Sequence, residues 1–352
     1  MNTPTYPYIK PEPRNFERFN AGDVVAASSD FFRHALGSAG TSKHLHVLAR
    51  ELTLSEVCYA HGVLADVQSA DRSPAALIDA GLQTPALQRI LQSEAERFIL
   101  VGYDHGAEFT EWAPELPVRD FRARQIDTFQ ISEGLDPLGE LSEVKRAKAF
   151  NFHASGAAVQ LQSFGKIFAI DGNRILADDV TAIKLLFQGV ATLPAATEVG
   201  LLTTLIEGNP TLSDGAAVFD VSNTLALALD EDNLGTAVGM LRRQGPTGIP
   251  LNLAARHLVV HPDLEVKANR LIRESGMDAI HVTALPGLAA GRWLVLCDPA
   301  VLAPIVRPKL ENAPIARVDI RQGFERAGVA LRVVVETGAA FVGRVGMVRG
   351  GA

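Results

Sequence analysis

The sequence predicts an α+β fold: a helical N-terminal arm, then an extended β-hairpin, a long apolar helix and a compact α/β unit. Three observations predict it. Val180, Ile183, Leu186, Phe187, Val190 and Leu193 recur at helical spacing, and Val199, Leu202 and Ile206 resume it. Arg119–Ser132 alternates in steps of two, with Phe121, Ala123, Phe129 and Ile131 set against Asp120, Arg122, Arg124, Thr128 and Gln130. Between Asp220 and Asn312, short apolar runs alternate with helix start and stop signals.

In chain order, Met1–Gly40 comes first. Pro4, Pro7, Pro11 and Pro13 forbid a regular helix at the start, and Phe16, Phe19, Phe31 and Phe32 favour an extended arm over a solvated tail. Thr41–Tyr103 reads as short helices: Ser42–Leu52 and Leu54–Val63 have helical spacing, Ser73–Pro74 is a start signal, and Pro85–Val101 is amphipathic. Trp112–Phe168 is strand-like. After Arg119–Ser132, Gly134, Pro137 and Gly139 make Glu133–Leu141 a loop tip. A return strand covers Lys145–Phe152, and Ala157–Phe168 continues it beyond a break at Ser155–Gly156. A two-stranded ribbon is marginal alone in water and its edges invite pairing, so neighbouring copies are expected to cover it. Its tip is acidic (Glu133, Asp136, Glu140, Glu143) and its return strand basic (Lys145, Arg146, Lys148), which predicts charge pairing between copies.

The long helix opens at Asp178 and Asp179, where a helix start favours negative charge, and stops at Gly208 and Pro210. Pro194 has no amide hydrogen to give to Val190, which predicts a kink or break there. In the α/β unit, Asp230–Gln244 reads as a helix with Leu234, Val238 and Leu241 on one face, and His257–Val260 as a short buried strand. Pro262 begins another helix, which Gly276 ends; Ala279–Leu285 and Arg292–Cys297 are strands. Ile315–Val348 returns to strands, Ala316–Ile320 and Ala330–Glu336, around a turn near Gly323–Gly328.

At 352 residues, 47% hydrophobic and 21% charged, the chain has globular composition and length for two or three packing units. A net charge of −7 argues against an independent nucleic-acid binder. Cys58 and Cys297 have no paired spacing, there is no signal-peptide core, and no uninterrupted apolar run predicts a membrane span. Nucleophile-elbow, zincin, phosphate-loop and dinucleotide motifs are all missing from the sequence. His44, His46 and His61 are spaced too loosely for a metal site. His153 and Ser155 do not reliably meet as base and nucleophile from one strand. No catalytic residue, cofactor or metal is therefore expected.

Two runs carry a resemblance. Gly208–Asp220 (GNPTLSDGAAVFD) follows the long helix; a second helix ends in RRQ, and Pro250–Leu271 reads PLNLAARHLVVHPDLEVKANRL. With gaps from about Glu51 to about Gly343, the chain resembles the major capsid proteins of tailed bacteriophages, most of all the Mu-type head subunits. The resemblance implies the Hong Kong 97-type capsid fold, with an N-terminal arm over 1–115, an extended loop over 116–169, a peripheral domain with a spine helix over 170–219 and 313–352, and an axial domain over 220–312. It implies a structural protein, not an enzyme. Copies would tile an icosahedral head as pentamers and hexamers around double-stranded DNA, held without sequence specificity. Portal, scaffold and decoration proteins would be further partners, with assembly in the host cytoplasm and residence in the virion. Some capsids of this fold join a loop lysine to an asparagine late in the peripheral domain; Lys145 and Lys148 are present here, but no asparagine follows Asn312, so no such mesh is expected. Two alternatives stand beside this: an encapsulin-like compartment shell, and a head-associated hydrolase.

Overall fold

A computed structural model describes residues 21–37, 53–64, 74–125, 158–171, 180–212, 214–245, 250–322 and 328–351. In chain order the helices are α1 (Ala21–Ala35), α2 (Leu54–Leu64), α3 (Pro74–Leu82), α4 (Pro85–Gly106), α5 (Val180–Ala191), α6 (Leu193–Gly208), α7 (Glu231–Arg243) and α8 (Glu265–Glu274). The strands are β1 (Glu115–Val118), β2 (Arg124–Gln125), β3 (Ala158–Val159), β4 (Gln162–Asp171), β5 (Thr224–Leu225), β6 (Ala255–Val260), β7 (His281–Ala284), β8 (Trp293–Cys297), β9 (Ile305–Leu310), β10 (Arg317–Gln322), β11 (Gly328–Thr337), β12 (Ala340–Phe341) and β13 (Met347–Gly350). The chain divides into two compact units. One takes Met1–Gly102, Gly165–Leu193 and Ile315–Val335; the other takes Tyr103–Phe164, Pro194–Pro314 and Glu336–Ala352.

In the first unit, β10 and β11 pair antiparallel from Arg317↔Val334 to Gln322↔Val329, and β4 pairs with β11. Val318, Leu331 and Val333 of this sheet share one apolar core with Phe32, Leu54, Leu87, Leu91, Ile99, Ile183, Phe187 and Val190 from the helices. Leu186 packs against that core from its rim. Gly81 lets α3 approach α2, because a Cβ there would sit 1.7 Å from the Cys58 carbonyl oxygen.

The second unit is built on a sheet of order β5-β13-β8-β6-β7. Its middle strand, Trp293–Cys297, is buried at every position, as a strand covered on both faces must be. The parallel β6–β7 pair is joined through α8. Gly276 (φ +66°) ends α8 in a left-handed turn, with Met277 N–H bonded to the Ile272 carbonyl at 3.1 Å. Asp230 caps α7 by accepting from Asn233 N–H at 2.8 Å. Strand β9 pairs with β1, with β12, and with Thr337 at the end of β11.

Two sequence expectations change. Within the stretch read as an extended arm, Ala21–Ala35 is a helix, and Phe31 and Phe32 are buried edge to face, with centroids 5.3 Å apart. No proline falls between Pro13 and Pro74, so Val24, Ser28, Phe31 and Phe32 form one buried helical face. The strand expected over Arg119–Ser132 is broken at its start. Asp120 accepts from Arg122 N–H at 3.2 Å, a local turn that competes with the ladder, and pairing resumes at Arg124. The long helix is interrupted at Thr192, beside Pro194, as its missing amide requires. By length and composition Val180–Gly208 is apolar enough to cross a membrane, which the sequence reading did not anticipate. The break and a buried, ion-paired Glu198 fit a core helix instead. Asp178 and Asp179 lie outside the described residues.

Candidate functional site

The seven charged residues expected to pair between copies, Glu133, Asp136, Glu140, Glu143, Lys145, Arg146 and Lys148, lie outside the described residues, as do His44, His46, His153 and Ser155. The two ends of that segment are described. Arg124 pairs with Val159 and Gln125 with Ala158 in an antiparallel ladder, so the chain leaves and re-enters at one place. Gln160 reaches back to the Phe121 carbonyl at 3.5 Å.

The strongest electrostatic feature was not anticipated. Glu198, on α6, is completely buried in the second unit and ion-pairs with both Arg307 and Lys309 of β9. Tyr103 O–H donates to its carboxylate at 2.8 Å and accepts from Arg307 Nη1 at 2.8 Å. Thr337, which the strand register sets beside Lys309, donates to the other carboxylate oxygen at 3.0 Å. Arg307 also donates through Nε to the Ala113 carbonyl at 2.7 Å and lies over the Phe109 ring.

Burial by itself would raise the Glu198 pKa. Lys309 and Arg307 outweigh it and hold the carboxyl below its ordinary value. Burial, and then Glu198, push the Tyr103 phenol upward. One group stays ionised and the other protonated, so the cluster is an electrostatic lock and not an acid–base pair. The sequence signal was a glutamate amid the apolar residues of a helix, with Arg307 and Lys309 inside the apolar run IVRPKL.

A second polar cluster holds the loop after α6. Arg344 grips Asp214 with both terminal nitrogens, and donates to the Ala217 carbonyl through Nε at 2.7 Å and to the Ala216 carbonyl through Nη2. Asn209 (φ +42°) closes the loop, its side chain bonding Phe219 N–H at 2.7 Å and the Phe219 carbonyl at 3.0 Å. Asn209 and Asp214 belong to the run GNPTLSDGAAVFD, where their side chains therefore serve loop shape.

Nucleophilic chemistry finds no support in the first unit's one buried Ser–His contact among the described residues. Ser28 Oγ donates to the Val24 carbonyl at 2.7 Å, so at 3.0 Å it accepts from His61 Nε2. The imidazole is then a donor towards the hydroxyl, the reverse of a general base. Burial lowers the His61 pKa. Among the described residues no group of three or more His, Cys, Asp or Glu could hold a metal ion. Cys58 and Cys297 are both buried, and neither is in a disulfide.

A family profile described as phage capsid protein matches residues 156–350. That span covers more than half of the chain and includes both polar clusters apart from Tyr103, Phe109 and Ala113. No curated protein matches the chain. Among solved structures, the chain is similar to the virus-like particle protein of Pyrococcus furiosus, at 12% identity and TM-score 0.43, covering 73% of this chain and 97% of that one. A protein of Mycobacterium phage Ogopogo is similar at 13% identity and TM-score 0.46, covering 69% and 91%. A chain of the bacteriophage JBD30 procapsid is similar at 13% identity and TM-score 0.41, covering 76% and 75%.

Proposed function

This chain belongs to the phage capsid protein family, and from that premise we propose that it is the major head subunit of a tailed phage, closing an icosahedral shell from its own copies around double-stranded DNA. The match over residues 156–350 carries this reading. In it, Val180–Gly208 serves as the spine, 170–219 with 313–352 as the peripheral domain, 220–312 as the axial domain, and 1–115 as the arm. Within the family it is of the Mu-type head-subunit kind, a reading that rests on Asn209–Phe219 and Pro250–Leu271.

The segment between β2 and β3 serves as the extended loop, its Glu133, Asp136, Glu140 and Glu143 meeting basic groups of a neighbouring copy and its Lys145, Arg146 and Lys148 meeting acidic ones. A ribbon held this way needs a large interface, on the order of 2,000 Å² or more per subunit. DNA is held through phosphate contacts that weaken with salt, and portal, scaffold and decoration proteins complete the head, assembled in the host cytoplasm. The subunit does no chemistry of its own and forms no lysine–asparagine mesh.

Electron microscopy of the purified, concentrated protein tests this reading: closed shells are expected, and a uniformly monomeric protein would sink it. Particles boiled in detergent should run as single chains on denaturing electrophoresis; a surviving ladder of multimers would refute the absence of a mesh.

A further inference from the structure

Arg349 has no ion pair among the described residues, and Glu207 is the one acidic group that acts on its charge. Arg349 lies on β13 directly beside Thr224 of β5 in a parallel ladder, so the two side chains leave the sheet on one face. Its guanidinium covers the Phe219 ring at 4.4 Å. Among the described residues no hydrogen bond or ion pair reaches that guanidinium, and its Nε is buried without a partner. Thr224 Oγ1 and Arg292 Nε are buried without a partner as well.

Arg292 belongs to the same place. Burial lowers the Arg349 pKa, Arg292 lowers it further as a like charge, and Glu207 opposes both. Arg292 gives Nη1 to the Gly351 carbonyl at 3.1 Å, and its Nη2 faces Glu207 at 3.4 Å. Glu207 is itself engaged by Ala289 N–H at 2.9 Å. Half-exposed Leu227 adjoins, since its carbonyl accepts from both Trp293 Nε1 and Gly351 N–H. Buried polar atoms in folded proteins are nearly always bonded to protein or to ordered water, so three unpartnered ones on one sheet face call for an explanation.

We propose that Arg349, Arg292 and Thr224 form a carboxylate-binding site, filled in the assembled particle by an Asp or Glu side chain of a second copy of this chain. This rests on the shell reading above. Two guanidiniums and one carboxylate leave one positive charge, which a single carboxylate neutralises. The planar fork of a guanidinium matches a carboxylate in two parallel bonds. Glu207 repels denser anions. A second copy is a rich source, with 40 acidic residues against 33 Lys and Arg.

The test uses the full chain as wild type, R349Q and R349K. R349Q breaks no hydrogen bond of the guanidinium among the described residues and loses only the cation–π attraction to Phe219, so unassembled R349Q should melt no more than a few degrees below wild type. Its particle yield by sedimentation should fall about tenfold or more at equal concentration, as expected when one partner of a desolvated charge contact is removed. R349K places an amine at the site. Carbodiimide, which condenses an amine with a carboxylate by removing water, should then give dimers on denaturing gels, with position 349 joined to an Asp or Glu of another copy. Unimpaired R349Q particles overturn the site, as does a lower melting temperature with normal yield. R349Q particles of normal number but reduced DNA content point to a phosphodiester occupant and also overturn it. R349K particles that give no intermolecular link at position 349 do the same. If wild type forms no particles, the shell reading and this site fall together; wild-type particles matched by R349Q particles remove the site alone.

Discussion

Arg307 and Glu198 form an ion pair in which the two side chains are 1% and 0% exposed, 109 positions apart in sequence. Strand β9 and helix α6 of the second unit are tied by it, and Lys309 shares the same carboxylate. Removing one member of such a buried set leaves uncompensated charge in a low dielectric. Glu198→Ala takes from Arg307 and Lys309 their shared buried counter-charge, leaving Arg307 only half-exposed Glu115 at 3.6 Å, and should destabilise the unit by about 3–5 kcal/mol, read as a lowered urea midpoint. A midpoint within error of wild type would deny the cluster its role.

The same carboxylate should govern acid stability. Its folded pKa lies below its ordinary value of 4.5, so its contribution is present above 4.5 and is lost as pH falls through the lowered folded pKa. Stability measured from pH 6 downward should fall in wild type more steeply than in Glu198→Gln, which has no proton to take up there. Parallel curves would count against this.

His257 should act earlier in the same titration. It is buried in β6, with Nδ1 unpartnered, and faces His281, Glu111, Asp298 and Arg256. Burial lowers its pKa most; His281 and Arg256 lower it further, and Glu111 and Asp298 resist. A histidine held below 6.5 favours folding above that pH, and the benefit fades as pH drops below it. His257→Leu should flatten the stability curve between about pH 6.5 and 5; an unchanged slope would exclude His257 as its source.

Arg344 holds the loop after α6 through Asp214 and two carbonyls. Lysine keeps the charge but not the fork, so Arg344→Lys should raise amide exchange over 209–223 while costing only about 1–2 kcal/mol overall. Protection equal to wild type would show that the backbone bonds suffice.

For the shell itself, deleting Glu133–Leu141 should leave a folded, soluble subunit that fails to assemble, since that tip is expected to act only between copies. Shells of normal yield would refute the loop assignment. Ile183→Asp, by contrast, buries an unpaired charge in the first unit's core and should prevent folding. Leu186, at the rim of that core, should tolerate the same change better; native circular dichroism in Ile183→Asp would overturn the placement.

Much of the architecture was legible from local rules. Spacing located α2, α4, α7 and the helical run from Val180; Gly276 marked a cap that the structure uses; Pro194 marked the break. These signals are readable because each depends on a residue's own backbone and neighbours within a turn. The helix at Ala21–Ala35 was hidden because upstream prolines were allowed to speak for residues beyond their reach, when a proline constrains only its own turn.

By itself, the sequence determined the α+β class and the kinship of the chain, because periodicity, caps and motif-like runs are one-dimensional properties. Only the tertiary structure decided which charges are buried together. Glu198 meets Arg307 and Lys309, and Arg349 stands beside Thr224 and Arg292, through strand register and helix placement that bring distant positions within a few ångströms. Coulomb energy depends on that separation and on the exclusion of water, and neither quantity exists along a line of letters.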